Sequence, residues 1–167
     1  MSTDAASEAD FIARLRDSGI SVDREGRFWH EGAQVLHQGL RQALFRWLDR
    51  LTEPDGTPGR YILRLDARRF AYIDVEDTPV VATSLRWEEQ AGAAIAWLGL
   101  SDGSEERLDP ASLTIDSQGV LRCWVRAGKL QARLATSAAA TLAEQITARD
   151  GRPILTTAAG ARPIPPA

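Results

Sequence analysis

Apolar residues recur along this chain with two different periods. From Gln38 onward Leu40, Leu44, Trp47, Leu48 and Leu51 fall at helical steps, which predicts one amphipathic helix running through Leu51. Ser7 and Asp10 ahead of Phe11, Ile12 and Leu15 predict a short opening helix that Gly19 ends. Leu130, Leu134, Leu142 and Ile146 predict a second long helix from Leu130 to about Thr147. Elsewhere the period is two. Ile20 to His30 alternates around Asp23-Arg24-Glu25-Gly26 and predicts a hairpin, as does Leu113 to Leu121. Tyr61–Leu65, Phe70–Val75, Val80–Trp87 and Ala93–Leu100 predict four strands in meander order. Gly, Ala and Pro dominate after Asp150, where a flexible end is expected.

Ile20-x-Val22-Asp23-x-x-Gly26-x-Phe28 and Leu113-x-Ile115-Asp116-x-x-Gly119-x-Leu121 share one pattern, each ahead of a predicted helix. The expected fold is therefore α+β, with antiparallel sheets and two hairpin-plus-helix repeats. The expected divisions are an N-terminal α+β part over 1–66, a β-rich part with a terminal helix over 67–150, and a flexible tail over 151–167. A cleft between two similar halves is a natural ligand site.

Composition narrows the function classes. The chain has 167 residues, 44% of them apolar, and a net charge of −3 from 20 basic and 23 acidic residues. That balance argues against a nucleic-acid polymer as partner. Cys123 is the single cysteine, which excludes an internal disulfide and a thiolate metal cluster. The acidic start lacks the pattern of a signal peptide, and Ala91–Leu100 is about half of the roughly 20 residues a membrane helix needs. A cytoplasmic protein without a membrane span is expected.

The densest candidate chemistry is the acidic run Asp74-Val75-Glu76-Asp77. On a strand Asp74 and Glu76 share a face about 7 Å apart, suited to a hard cation, with Asp77 as third ligand. The same residues also suit a turn in which Asp77-Thr78-Pro79 caps backbone amides. Trp29-His30-Glu31-Gly32 sets an imidazole beside a carboxylate, but no nucleophile elbow, no helical His pair and no glycine-rich phosphate loop accompanies it. No cofactor is expected. Arg126 and Arg133 are placed to offer counter-charge to an anion.

Three elements together carry a resemblance: Trp29-His30-Glu31-Gly32, Tyr72 to Ala82 with Val-Glu-Asp-x-Pro at its centre, and Arg126-Ala127-Gly128-Lys129-Leu130-Gln131-Ala132-Arg133. From about residue 17 to 148 the chain resembles the bacterial family catalogued as domain of unknown function 1285. Thr78 stands where that family has Ala, and Val80 where it has Phe. The resemblance implies a duplicated α+β core whose C-terminal half is like a pleckstrin-homology fold. It also implies a role in signal transduction, binding a small anionic, nucleotide-like ligand or a protein segment between the two halves. Trp29, His30, Glu76, Asp77, Arg126 and Arg133 are the ligand-binding residues that follow. The alternative is a metal-dependent hydrolase of a phosphorylated substrate, with Asp74, Glu76 and Asp77 as ligands.

Overall fold

The computed structural model describes residues 16–157 and 159–167. The opening helix expected ahead of Gly19 lies outside them, apart from its last residues, which belong to a strand. The chain forms two compact units that divide between Asp77 and Thr78, rather than between 66 and 67.

In the first unit Asp17–Val22 (β1), Phe28–His30 (β2) and Ala33–Gln34 (β3) form an antiparallel meander. The helix Gln38–Trp47 (α1) follows, then a second meander of Leu48–Thr52 (β4), Pro58–Arg64 (β5) and Phe70–Val75 (β6). One six-stranded sheet results, in the order β3-β2-β1-β6-β5-β4, with β1 and β6 parallel at its centre. Strand β6 pairs with both β5 and β1, so residues 67–77 belong to this unit. Phe28 on β2 and Phe45 on α1 are buried edge to face, 4.7 Å between ring centres, which seats the helix on the sheet.

The second unit repeats that topology. Val80–Gln90 (β7), Ala93–Leu100 (β8) and Glu105–Arg107 (β9) form one meander. Thr114–Ile115 (β10), Leu121–Val125 (β11) and Leu130–Leu134 (β12) form the other, and β7 and β12 pair in parallel. Read from the other side, β9-β8-β7-β12-β11-β10 is the same strand order as in the first unit. The duplication expected from sequence is present as a whole six-stranded sheet. The helix Thr136–Ala143 (α2) then crosses over β7, burying Ala138 and Leu142. Ile146–Arg149 (β13), Arg152–Thr157 (β14) and Gly160–Pro163 (β15) make a third, three-stranded sheet.

Several expectations are corrected. Helix α1 stops at Trp47, because Leu48 pairs with Leu63 across the sheet, so Leu48 and Leu51 belong to β4. The long second helix is three elements. Arg126, Ala127 and Gly128 all have positive φ (50°, 55° and 82°) and make the β11–β12 hairpin turn. Leu130, Ala132 and Leu134 are then buried in alternation with Gln131 and Arg133, a period of two that four-residue leucine spacing mimics. The segment after 150 is strand rather than a flexible tail. The strands of the predicted four-strand meander divide into β5–β6 and β7–β8 in separate sheets, and β8 is an inner strand between β7 and β9.

The two matching turns share detailed chemistry although they join topologically different strands. Asp23 Oδ1 accepts from the Glu25 and Arg27 N–H groups, and Asp116 Oδ1 from those of Gln118 and Val120. Gly26 and Gly119, both at positive φ, donate to the Asp23 and Asp116 carbonyls at 3.0 Å. Burial alone would raise the pKa of Asp23, but hydrogen bonds from the Arg27 N–H, the Trp29 indole and the Arg27 side chain outweigh it and hold it below 3.8. Arg122 does the same for Asp116, with the Val120 N–H assisting. Amides of Arg68 and Arg69, with the Arg69 side chain, pull Asp66 down to about 2.

Folded carboxyls with depressed pKa bind protons less readily than unfolded ones, so their contribution is complete above about pH 3.8 and fades as pH falls toward 2. Urea unfolding should show a loss of stability across that window that is smaller in the Asp23→Asn, Asp116→Asn double variant. An unchanged acid slope in that variant contradicts the assignment. Cys123 lies on the buried face of β11, where burial, with the nearby Glu106 charge, pushes its thiol up to about 12. Iodoacetamide at pH 8 should therefore label Cys123 only as fast as the protein unfolds, and fast labelling of the native protein would refute that burial.

Candidate functional site

The second unit begins with the Thr78-Pro79-Val80 end of the acidic motif, and these residues are among the most buried in the protein. Thr78 is 1% exposed. Its hydroxyl donates to the Val80 carbonyl (2.8 Å) and accepts from the Arg133 N–H (3.1 Å), so the entry loop is tied to β12. Val80 sits at 0% exposure in the core. The family resemblance has Ala in place of Thr78, so this bond depends on one of the chain's departures from that pattern.

Beyond that tie, β12 leads into α2, and the face of α2 beside its buried Ala138 and Leu142 carries Ala139, Ala140 and Ala143. Alanine projects only a methyl group, so the helix leaves room between itself and the β10–β11 edge. A cavity of about 590 Å³ occupies that space, lined by Ile115, Val120, Leu121, Leu134, Ile146 and the three alanines, with Gly119, Arg133 and Thr136 also bordering it. Its volume falls within the range of small-molecule sites. Arg133 stands opposite Arg122 in the β11–β12 register, and Arg122 turns to Asp116 at 2.5 Å. Ile, Val, Leu and Ala make up most of the cavity's lining, with Arg133 and Thr136 as its polar members.

The six residues expected to bind ligand do not form one cluster within either unit. Trp29 is half-buried and its indole N–H donates to Asp23 Oδ2 (2.8 Å), which makes it part of the first hairpin's turn. His30 is exposed at the end of β2. Glu76 pairs with Arg24 at 2.9 Å, both largely exposed, while its N–H donates to the Val22 carbonyl. Asp77 is half-buried at the last position of the first unit. Arg126 sits in the β11–β12 turn, where its side chain reaches Asp102 (2.8 Å) and its N–H donates to Glu106 (2.8 Å). It lies ahead of the start of β12, whereas Arg133 lies near the end of that strand.

The cation alternative loses its geometry too. Asp74 is 82% exposed at the side chain and 4.0 Å from Arg60, and Glu76 is committed to Arg24. Among the described residues no three His, Cys, Asp or Glu side chains come together so as to hold a metal ion.

No protein-family model matches the chain, and no curated protein matches it. Among solved structures, a DUF1285 family protein from Silicibacter pomeroyi DSS-3 superposes with a TM-score of 0.71 over 90% of this chain and 81% of its own, at 18% identity. The chain has the fold of DUF1285 proteins. A second DUF1285 family protein, from Shewanella baltica OS155, gives a TM-score of 0.59 over 75% of this chain and 91% of its own, at 13% identity. No helix among the described residues is long and apolar enough to cross a membrane.

Replacing Thr78 by Val keeps its shape and removes the acceptor of the Arg133 N–H, so it should cost about 1–3 kcal/mol in urea unfolding. Thr78→Ser should retain most of the stability. Equal losses in the two variants would contradict a role for the hydroxyl.

Proposed function

We propose that this is a non-enzymatic binding protein, of the sensor or adaptor kind, whose second unit takes an apolar group into the cavity between the β10–β11 edge and α2. The observation that carries this reading is the pairing of a roughly drug-sized volume with a lining made mostly of Ile, Val, Leu and Ala. Water gains few hydrogen bonds from such walls, so an apolar occupant that displaces it is favoured.

The same walls speak against the nucleotide-like anion that the family resemblance implies. No aromatic ring borders the cavity to stack on a base, and no glycine-rich run presents amides to phosphates. The occupant that fits is an uncharged hydrocarbon or aromatic group, belonging to a small molecule or to a side chain of a protein segment.

Titrating the isotope-labelled protein with benzene should shift the amide resonances of Ile115, Ala139, Ala140 and Ala143, and a panel of nucleoside phosphates should leave them unmoved. Ala140→Phe places a ring in the space and should weaken the benzene response at least tenfold. Shifts elsewhere only, or an undiminished response in Ala140→Phe, would refute the cavity as the site.

A further inference from the structure

The last residues of the chain lie along β10 as an added strand. The Ile115 N–H donates to the Pro165 carbonyl (3.0 Å) and the Ala167 N–H to the Ile115 carbonyl (2.9 Å), with Ile115 level with Pro166 in a parallel pair. This is the bonding by which an extended peptide joins a sheet edge. Ile164 anchors the segment: it is 5% exposed, and its N–H donates to the Pro153 carbonyl at 2.9 Å. Pro165, Pro166 and Ala167 are exposed.

The hold is incomplete in a specific way. Leu113 precedes β10, and continuing the parallel register by one step sets its carbonyl opposite the backbone nitrogen of residue 165, which is Pro165. Proline has no N–H to give. A segment with any other residue at that position makes the same two bonds and adds a third.

We propose that the β10 edge is a strand-addition site for an extended segment of another protein, one with an apolar residue in the place of Ile164 and a non-proline residue in the place of Pro165. The chain's own 165–167 segment occupies the edge until such a partner displaces it. The proposal goes beyond the cavity reading and needs nothing bound there, so its failure leaves that reading intact.

The probes are two eight-residue peptides, one with the chain's own sequence from 160 to 167 and one carrying Pro165→Val. Titrated into the full isotope-labelled chain, the valine peptide should shift the Ile115 amide and move the Ala167 amide to the position of an unstructured residue. It should bind about tenfold more tightly than the own-sequence peptide, the worth of roughly one hydrogen bond. Methylating the valine nitrogen should return its affinity to the own-sequence level. In the full chain carrying Pro165→Val the tail itself gains the third bond, so the same peptide should bind more weakly than to the unmodified chain.

An Ala167 amide that stays in place at every peptide concentration overturns the proposal, as does affinity indifferent to nitrogen methylation. Equal binding of the two peptides overturns it as well, and points to exchange of tails between copies. An Ile115 amide that exchanges with solvent as slowly as those of β11 marks the segment as a fixed cap on the edge and likewise overturns it.

Discussion

Both six-stranded sheets depend on a parallel pair at the centre, β1 with β6 and β7 with β12. Each pair joins the first strand of its unit's sheet to the last, so neither sheet is complete until the chain has laid down two meanders and returned to its start. The meanders themselves are local and use short turns. The central pair is the long-range contact, with a large loop-closure cost that the buried strands on either side must offset. The Thr78 hydroxyl reinforces the closure in the second unit, tying the chain two residues ahead of β7 to β12 at the point where the two strands run side by side.

Much of the fold was legible in the residues. The hairpin at Asp23–Gly26, the one at Asp116–Gly119, the strands β5 to β8 and the start of α1 all carry local signals, because turn chemistry and alternation act over a few residues. The failures come from contacts that local signals do not encode. Leu48 and Leu51 continue a helical spacing, but Leu48 is claimed by Leu63 across the sheet. Leu130 and Leu134 suit a helix and a strand alike, and only the left-handed turn at Arg126–Gly128 decides between them. The duplicated core was foreseen but matched through the wrong hairpins, since an Asp-x-x-Gly turn closes any hairpin of that length, whereas topology equates β1–β2 with β7–β8.

The candidate site shows a similar asymmetry. Carboxylates, a histidine and arginines are conspicuous in sequence, and Glu76, His30 and Arg126 prove to be engaged in ion pairs or turns, or exposed, within their own units. The cavity is lined by alanine, leucine, isoleucine and valine, residues with no chemical signature, and exists because a helix with small side chains crosses a sheet near its edge. The one available hint was the Ala138–Ala140 run, which suggests close packing of a helix on a sheet. In the structure one of the three alanines makes that packing and the next two border open space.

The aspartate brackets that shape the turns have a consequence for the protein's chemical ageing. Asp55-Gly56 and Asp102-Gly103 are sequences in which the following amide nitrogen can attack the side-chain carboxyl and close a succinimide, a reaction that proceeds through the protonated acid. In both turns the carboxylate is held by the residue two positions on, through the N–H and hydroxyl of Thr57 for Asp55 and of Ser104 for Asp102. Those bonds lower the pKa of Asp55 directly, and for Asp102 they outweigh its burial together with Arg126. A carboxylate kept ionised and pinned to its own turn is a poor electrophile, so the geometry that sets the hairpins also slows the damage to which glycine would otherwise expose them.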